Sequence, residues 1–458
     1  MKKILKDGTA SEVIVPDAGE LSEGWILEKL ETAGEWSTGG TPLRSKPEYF
    51  NGSIPWIKIT DLNDGIVTKT EKKITELGLQ NSNAKILPKG TICVGIYGSI
   101  GKIGILGIAA ATNQACGNCI VDEKIVNPKF LFYYILSERK KLLERGRGGT
   151  QANINNKILR DWPLPLPPLH EQQRIVARVE APLSHVNAAR ERVSRVPLIM
   201  KKFRQAVLAA ACEGRLTEGW REKHNDRFEN DSIAQIVQKN ASNKKIVRDF
   251  AWNLENNYPE NWLLTYLDIL AKVDTGTTPS RKNPDYWNGG TIPWVTSGEL
   301  YNSFVTKTNE KVTEQALKET RLKIFPKGTL LIALYGQGLT RGTSSELAIE
   351  ATTNQACGTI NILDDLSEIK PYIKLLLQKN YFDIRNLSAG GVQPNLNLSK
   401  IKAIPVPLPP LAEQHEIVRH VGLLFEHADA IDREVEAAGR RCERLTQAVL
   451  AKAFAGKL

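Results

Sequence analysis

The sequence contains no apolar run of about 18 residues, the length that a membrane-crossing helix needs. Its opening, MKKILKDGTASEVIVPDAGE, lacks the continuous apolar stretch of a secretory signal, so the cytoplasm is the expected compartment. Six cysteines are scattered without framework spacing, which argues for reduced thiols rather than disulfides. Phosphate-binding P-loops and serine-hydrolase elbows are absent. Pro284-Asp285 is followed by no nearby E-x-K or D-x-K, so the carboxylate set of a PD-type nuclease is missing. What is present is a folded-protein mix of 41% hydrophobic and 24% charged residues. At 458 residues the chain exceeds one ordinary core and predicts two to four domains. Lys plus Arg number 61 against 51 Asp plus Glu, a net charge of +10. That balance fits a polyanion such as nucleic acid, although many basic proteins bind none.

The chain is written twice. TGGTPLRSKPEYFNG at Thr38 to Gly52 returns as TGTTPSRKNPDYWNGG at Thr275 to Gly290. IPW recurs at Ile54 and Ile292, VTKT at Val67 and Val305, PKGT at Pro88 and Pro326, and TNQACG at Thr112 and Thr353. GGTQANIN at Gly148 matches GGVQPNLN at Gly390; PLPPL-x-EQ follows at Pro165 and Pro407, and QAVLA at Gln205 and Gln447. The offset drifts only from 237 to 242, so the halves are collinear and near-equal.

Each half reads as a globular part followed by a helical part. GTICVGIYG and GTLLIALYG, bounded by Gly, Pro and Asn, predict strands and turns. Amphipathic helices are expected at Pro128 to Glu144 and Lys370 to Asn386, and the proline-rich runs read as rigid lead-ins. Beyond Pro410, Val418, Val421, Phe425, Ala428, Ile431, Val435, Ala438, Cys442, Leu445 and Val449 recur in steps of three and four, the seam of a coiled coil. The first half has a rougher seam, Val176, Val179, Leu183, Val186, Val193, Met200, Phe203 and Val207, with Pro182 and Pro197 expected to kink it. Helices of this length, about 65 Å at 1.5 Å per residue, pair most simply with each other, or else pack on their own globular parts. Glu213 to Glu260 reads as a polar, surface-running linker with one short helix near Ile233.

Two similar modules held apart by long helices form a ruler with a reader at each end. If the helices run antiparallel, the modules are related by a pseudo-twofold, which matches the twofold symmetry of duplex DNA. About 65 Å spans roughly 19 base pairs.

The duplicated TG-x-TP…Y-x-NG…IPW module, the GG-x-Q-x-N-[IL]-N run, PLPPL-x-EQ opening a long helix and QAVLA-x-A-x-x-G-[RK]-L closing it resemble the specificity subunits of type I restriction–modification enzymes over nearly the whole chain. The resemblance implies an α+β fold: two target recognition domains separated by two long helices packed as an antiparallel coiled coil. Its segments would be an N-terminal arm (1–21), recognition domain 1 (22–164), a first conserved helix (165–214), a polar linker (215–257), recognition domain 2 (258–406) and a second conserved helix (407–458). It implies double-stranded DNA, two methyltransferase subunits and motor–nuclease subunits as partners. The chain itself would be non-catalytic, with AdoMet, ATP and Mg held only by partner subunits. The family usually continues past the second helix, so contacts of a short C-terminal extension are expected to be missing after Gly456-Lys457-Leu458.

The residues that look catalytic have plainer readings. Asn127-Pro128-Lys129-Phe130 is half of a methyltransferase [DN]-P-P-[FYW] tetrad, but no F-x-G-x-G precedes it, and it reads equally as a helix start. Cys116 and Cys119 form half a zinc site, yet the second copy has Cys357 followed by Ile360, so packing thiols are expected. His415 and His420 are spaced i, i+5, wrong for a zincin.

Candidate DNA contacts are polar and basic residues in Gly-rich loops, where backbone approaches phosphate and side chains reach base edges. They are Thr41, Arg44, Ser45 and Lys46 against Thr278, Ser280, Arg281 and Lys282. A second loop offers Tyr97, Ser99 and Lys102 against Tyr335, Gln337, Thr340 and Arg341, and a third Gln151 and Asn153 against Gln393 and Asn395. Such residues also satisfy local backbone in turns. The rival readings are an autonomous DNA-binding scaffold and an enzyme with a disguised site. Because the modules share so many motifs, their half-sites are expected to share bases, with Ser99 to Ala111 and Gln337 to Ala351 carrying the differences. Methylome sequencing should therefore show a partly palindromic split target; two half-sites with no base in common would contradict this.

Overall fold

A computed structural model describes residues 24–98, 100–146, 154–224, 232–242, 258–335, 340–381 and 396–455. It divides into unit 1, residues 1–194 with 436–458, and unit 2, residues 195–435.

Unit 1 contains β1 (Ile26–Lys29), β2 (Gly34–Thr38), β3 (Phe50–Ile57), β4 (Gly65–Val67), β5 (Lys73–Ile74), β6 (Ile92–Gly95), β7 (Ile103–Leu106), β8 (Ala111–Thr112), β9 (Cys116–Val121) and β10 (Pro163–Leu166). They form a five-stranded sheet in the order β2-β9-β6-β7-β4, a three-stranded sheet β5-β3-β8 and a pair β1-β10. Unit 2 repeats the set as β11 (Leu263–Tyr266), β12 (Ala271–Thr275), β13 (Ile292–Val295), β14 (Phe304–Val305), β15 (Glu310–Val312), β16 (Leu330–Ala333), β17 (Ser344–Leu347), β18 (Thr352–Thr353), β19 (Cys357–Ile362) and β20 (Pro405–Leu408). Their orders, β12-β19-β16-β17-β14, β15-β13-β18 and β11-β20, match strand for strand. The sequence repeat is thus two copies of one mixed α/β domain. GTICVGIYG and GTLLIALYG supply β6 and β16, buried at every position because each lies mid-sheet with both faces covered.

The proline-rich runs are more than lead-ins, for Pro163–Leu166 and Pro405–Leu408 are themselves strands. Proline, which has no N–H, is tolerated there because each strand pairs on one side only. The next residues explain the PLPPL-x-EQ spelling. Gln172 and Gln414, in the first turns of the long helices Leu169–Cys212 and Leu411–Phe454, each donate Nε2 to a proline carbonyl five residues earlier, Pro167 and Pro409, both at 2.8 Å. Gly214 closes the first long helix in the left-handed region at φ 74°, where a side chain would be strained.

The helix expected from Pro128 runs to Gly146. Its counterpart begins at Lys370 and is described as a helix through Lys379; residues 382–390 lie outside the described set. Leu169–Cys212 continues through Pro182 and Pro197, each of which removes only its own N–H from the ladder. The expected seam is buried or half-buried at Val418, Val421, Phe425, Ala428, Val435, Ala438, Cys442 and Val449, and departs from expectation at two positions. Ile431 and Leu445 are exposed, whereas Ile417, Val421, Ala428, Cys442, Thr446, Leu450 and Ala453 are buried. The additional buried positions reflect the helix ends, which pack into sheet cores as well as along a seam. In unit 1, Leu450 and Ala453 join Val176, Val179 and Leu183 in the main core, and the Phe454 ring stands edge-on to Phe130 at 5.3 Å. In unit 2, Val207, Leu208 and Ala211 share a core with Ile417 and Val421.

The segment read as a surface linker is partly interior. Helix Ser232–Ser242 buries Ile233, Ala234 and Val237 in the unit 2 core. Ahead of it, Thr217 and Arg221 reach Glu413, a fully buried carboxylate. Glu413 accepts from Thr217 Oγ1 (2.7 Å), Arg221 Nη1 (2.5 Å) and Trp262 Nε1 (2.9 Å). Its counterpart Glu171 lies near the surface and pairs with Arg174 three residues on. Removing one member of a buried, paired set leaves the rest unsatisfied, so Glu413→Ala should destabilise unit 2 by roughly 3–5 kcal/mol. Glu171→Ala should show no comparable loss. Denaturant titration followed by tryptophan fluorescence checks both, since Trp262 reports on the node directly.

Candidate functional site

In each unit, three of the repeated runs meet at one end of the five-stranded sheet. In unit 1, Trp56 of IPW donates Nε1 to the Gly40 carbonyl at 3.0 Å, which anchors the TG-x-TP loop from below. Gly39 N donates to Cys116 O (3.2 Å) and Gly40 N to Thr112 O (2.9 Å), docking that loop on TNQACG. Thr41 Oγ1 donates to the side-chain Oε1 of Gln114. Unit 2 repeats the assembly: Trp294 Nε1 to Thr277 O (3.1 Å), Thr277 N to Thr353 O (2.8 Å), and Thr278 Oγ1 to the side-chain Oε1 of Gln355. The glycines are obligatory for contact this close. A Cβ would lie 2.3 Å from Asn113 O at Gly39 and 1.9 Å from Thr353 O at Gly276.

The second loop is stitched to the same place. Ile96 N donates to Ala115 O (2.9 Å) and Leu334 N to Ala356 O (2.8 Å), so Tyr97 and Tyr335 leave the sheet beside TNQACG. In unit 1, Ile154 N bonds Ile96 O at 3.0 Å, bringing the exit of the third loop alongside. The third-loop candidates Gln151, Asn153, Gln393 and Asn395 lie outside the described residues, as do Ser99 and Gln337.

The candidates that are described divide sharply. Arg44, Ser45 and Lys46 are exposed, as are Ser280, Arg281 and Lys282, and Lys46 lies 3.7 Å from Glu48. Tyr97 and Tyr335 are exposed rather than packed. Thr340 and Arg341 are half-buried. Lys102 does not join the loop edge; it lines a cleft of about 770 Å³ beside Asp64, Arg139 and Glu180. Gly95 N bonds Lys102 O, and its counterpart Ala333 N bonds Thr343 O, so the second loop is three residues longer in unit 2 and Lys102 corresponds to Thr343.

The two arginines singled out by sequence stand in opposite electrostatic settings. Arg281 is bidentate to Glu310 (2.5 and 2.8 Å) and stacks 3.8 Å from the Trp287 ring and 5.0 Å from Trp294. That hydrogen bond holds the Glu310 carboxyl below its ordinary value and raises the guanidinium. In unit 1, Trp56 N bonds Lys72 O where Trp294 pairs with Glu310 across the strands, so a lysine replaces the acid. No ion pair of Arg44 is found among the described residues.

Sequence reasoning passed over Gln114, Gln355 and Glu310. The first two carried a signal, since TNQACG is identical in both copies; Glu310 carried none, because its grip on Arg281 appears only with the strand register.

The residues that looked catalytic are structural. Asn127 Oδ1 accepts from Lys129 N (2.9 Å) and Phe130 N (3.2 Å), capping the helix that begins at Pro128. Cys116 and Cys119 point to opposite faces of β9 and into different cores, so they cannot share an ion. Burial pushes both thiols up to about 12. His420 pairs with Glu416 on its own helix at 3.0 Å. Among the described residues no helix is long and apolar enough to cross a membrane.

A family model described as the type I restriction modification DNA specificity domain matches residues 23–187 and 259–434. The chain is 27% identical over 463 residues to the EcoBI type I restriction enzyme specificity subunit of Escherichia coli, covering 99% of this chain and 90% of that protein. It is 29% identical over 349 residues to the EcoDI specificity subunit, also of Escherichia coli, covering 74% and 72%. A solved chain from "Structural basis underlying complex assembly and conformational transition of the type I R-M system" shares the fold, with a TM-score of 0.59 at 17% identity over 96% of this chain and 100% of that one.

Each cation that neutralises a phosphate steepens the salt dependence of DNA binding by about one unit. Arg44→Ala should therefore lower the slope of log K against log salt by roughly one. Deleting the already neutral pair, Arg281→Ala with Glu310→Ala, should leave it unchanged. Anisotropy titrations over a salt series measure both.

Proposed function

The chain belongs to the type I restriction–modification DNA specificity family, and from that premise we propose that it is the DNA-reading subunit of such a complex, with one recognition unit for each half of a split target. The observation that carries the reading is the loop edge built twice, from TG-x-TP, IPW and TNQACG, with the same hydrogen bonds in each unit. Exposed basic and polar side chains flank that edge in both copies, as phosphate positioning and groove reading require. The recognition domains are residues 22–164 and 258–406, the arm 1–21, the linker 215–257, and the conserved helices 165–214 and 407–458.

The two long helices pair as an antiparallel coiled coil. Within unit 1, Arg190 Nη2 donates to Thr446 Oγ1 at 3.3 Å. Within unit 2, Arg204 pairs with Asp429 (2.5 Å) and Asp432 (2.9 Å). Numbers rise on one helix as they fall on the other, which favours antiparallel pairing. Between 184 and 199 no residue is buried, and the half-buried positions are Val186, Arg190, Val193 and Val196, the narrow stripe of a two-helix seam.

Methyltransferase subunits dock on these helices, and motor–nuclease subunits join through the complex. AdoMet, ATP and Mg belong to those partners, as does the adenine-N6 methylation and ATP-dependent cleavage chemistry. Leu198 and Ile199, 61% and 59% exposed on the first long helix, offer an apolar surface for such docking. Co-expression with a methyltransferase subunit should yield a stable two-to-one complex that methylates a split motif. Leu198→Glu with Ile199→Glu should weaken its retention while leaving the chain folded. A chain that binds duplex DNA yet retains no methyltransferase would instead be an autonomous DNA-binding scaffold.

A further inference from the structure

The TNQACG run is identical in the two units, whereas the loops around it diverge: Leu43 stands against Ser280, and Ile100 falls where the longer loop places Arg341. At the apex of this run Gln114 and Gln355 are both exposed. Each is pinned in the same way, its side-chain carbonyl oxygen taken by a threonine hydroxyl, Thr41 or Thr278. With one lone pair of the oxygen engaged by the threonine, both N–H donors of the amide remain open. A pinned oxygen is less able to turn into the paired donor–acceptor contact by which glutamine reads adenine, whereas the open donors match an acceptor oxygen. An identical group in an identical mount, beneath loops that differ between the units, suits a DNA feature that is present in every half-site whatever bases the two share. The phosphate backbone is that feature.

We propose that Gln114 and Gln355 are equivalent backbone clamps, each donating its side-chain amide to a phosphate oxygen at corresponding positions of the two half-sites. Thr41 and Thr278 are positioning residues that hold the amide with its donors outward. The clamps set the register in which variable neighbours such as Ser280 and Arg341 meet the base edges. This assignment rests on the DNA-reading function proposed above.

The test uses the full chain assembled with its methyltransferase subunits and a duplex carrying the motif found by methylome sequencing. Losing one hydrogen bond to a charged phosphate lowers affinity about tenfold. Gln114→Ala and Gln355→Ala should each show such a loss, similar in size, with the methylated motif unchanged. Because glutamine is neutral and releases no counterion, the salt slope should stay at the wild-type value, unlike that of Arg44→Ala. Gln114→Glu, which keeps the bond from Thr41 but turns a charge toward the phosphate, should bind more weakly than Gln114→Ala. Thr41→Val should reproduce part of the loss and add little to Gln114→Ala. Wild-type affinity in both alanine variants would overturn the clamp, and so would a loss confined to sequences with one particular base. A wild-type complex that recognises no duplex at all would overturn the DNA-reading function itself.

Discussion

The close approach of two backbones at a glycine governs the functional end of each unit. At Gly39 and Gly276 no Cβ fits between the TG-x-TP loop and the carbonyls of TNQACG. That absence lets the main chains bond directly and sets the height at which every flanking side chain emerges. The IPW tryptophan fixes the same loop from the other side. Three motifs that look unrelated along the chain are therefore one mechanical part, a rigid platform under variable loops. Division of labour follows: the platform repeats because its geometry permits few alternatives, and the loops diverge because little in the platform depends on them.

Divergence between the units is largely a matter of what faces each charge. Arg281 is stacked, paired and neutralised, while in the unit of the exposed Arg44 the position of Glu310 is taken by Lys72. A guanidinium held by a carboxylate in two places has few donors left for phosphate, and its long side chain is already ordered on the indole. A free one retains its charge but must be ordered on binding, at an entropic cost. Two half-sites can thus be held by the same fold with unequal shares of electrostatic attraction and preorganised contact. The same contrast recurs in the helix-opening motifs, where Glu413 is buried in a three-donor node and Glu171 pairs at the surface.

Much of this was legible in the sequence. The collinear repeat foretold two units of matching topology, and GTICVGIYG and GTLLIALYG foretold the mid-sheet strands that are buried on both faces. The first two loops chosen for DNA contact do meet beside TNQACG, because the Gly and Pro punctuation that marked them also forces tight turns at the sheet end. What sequence missed depended on tertiary register. The helix seam was read from periodicity alone, which counts Ile431 and Leu445 as apolar but cannot know that the sheet cores capture Ile417 and Leu450 instead. Lys102 was set with Tyr97 and Ser99 against Tyr335, Gln337, Thr340 and Arg341, and only the hydrogen bonds of Gly95 and Ala333 reveal that the second of these loops is longer. Proline in PLPL discouraged a strand assignment, although a strand paired on one side has room for residues without an N–H.

The long helices tie the folding of the two units together through the chain itself. Unit 1 is discontinuous: its core takes Val176, Val179 and Leu183 from the first helix and Leu450 and Ala453 from the second, with all of unit 2 inserted between them in sequence. Contacts so distant in the chain carry a large loop-closure penalty until the intervening residues are themselves compact. Unit 2 needs no residue beyond 435, so it can form first and shorten the effective loop. The apolar face of unit 1 then closes when the end of the second helix arrives, with the Phe454 ring against Phe130 and Tyr134. Helix propagation across the boundary at 435 and 436 is cheap once its first turns are held by unit 2, because nucleation has already been met.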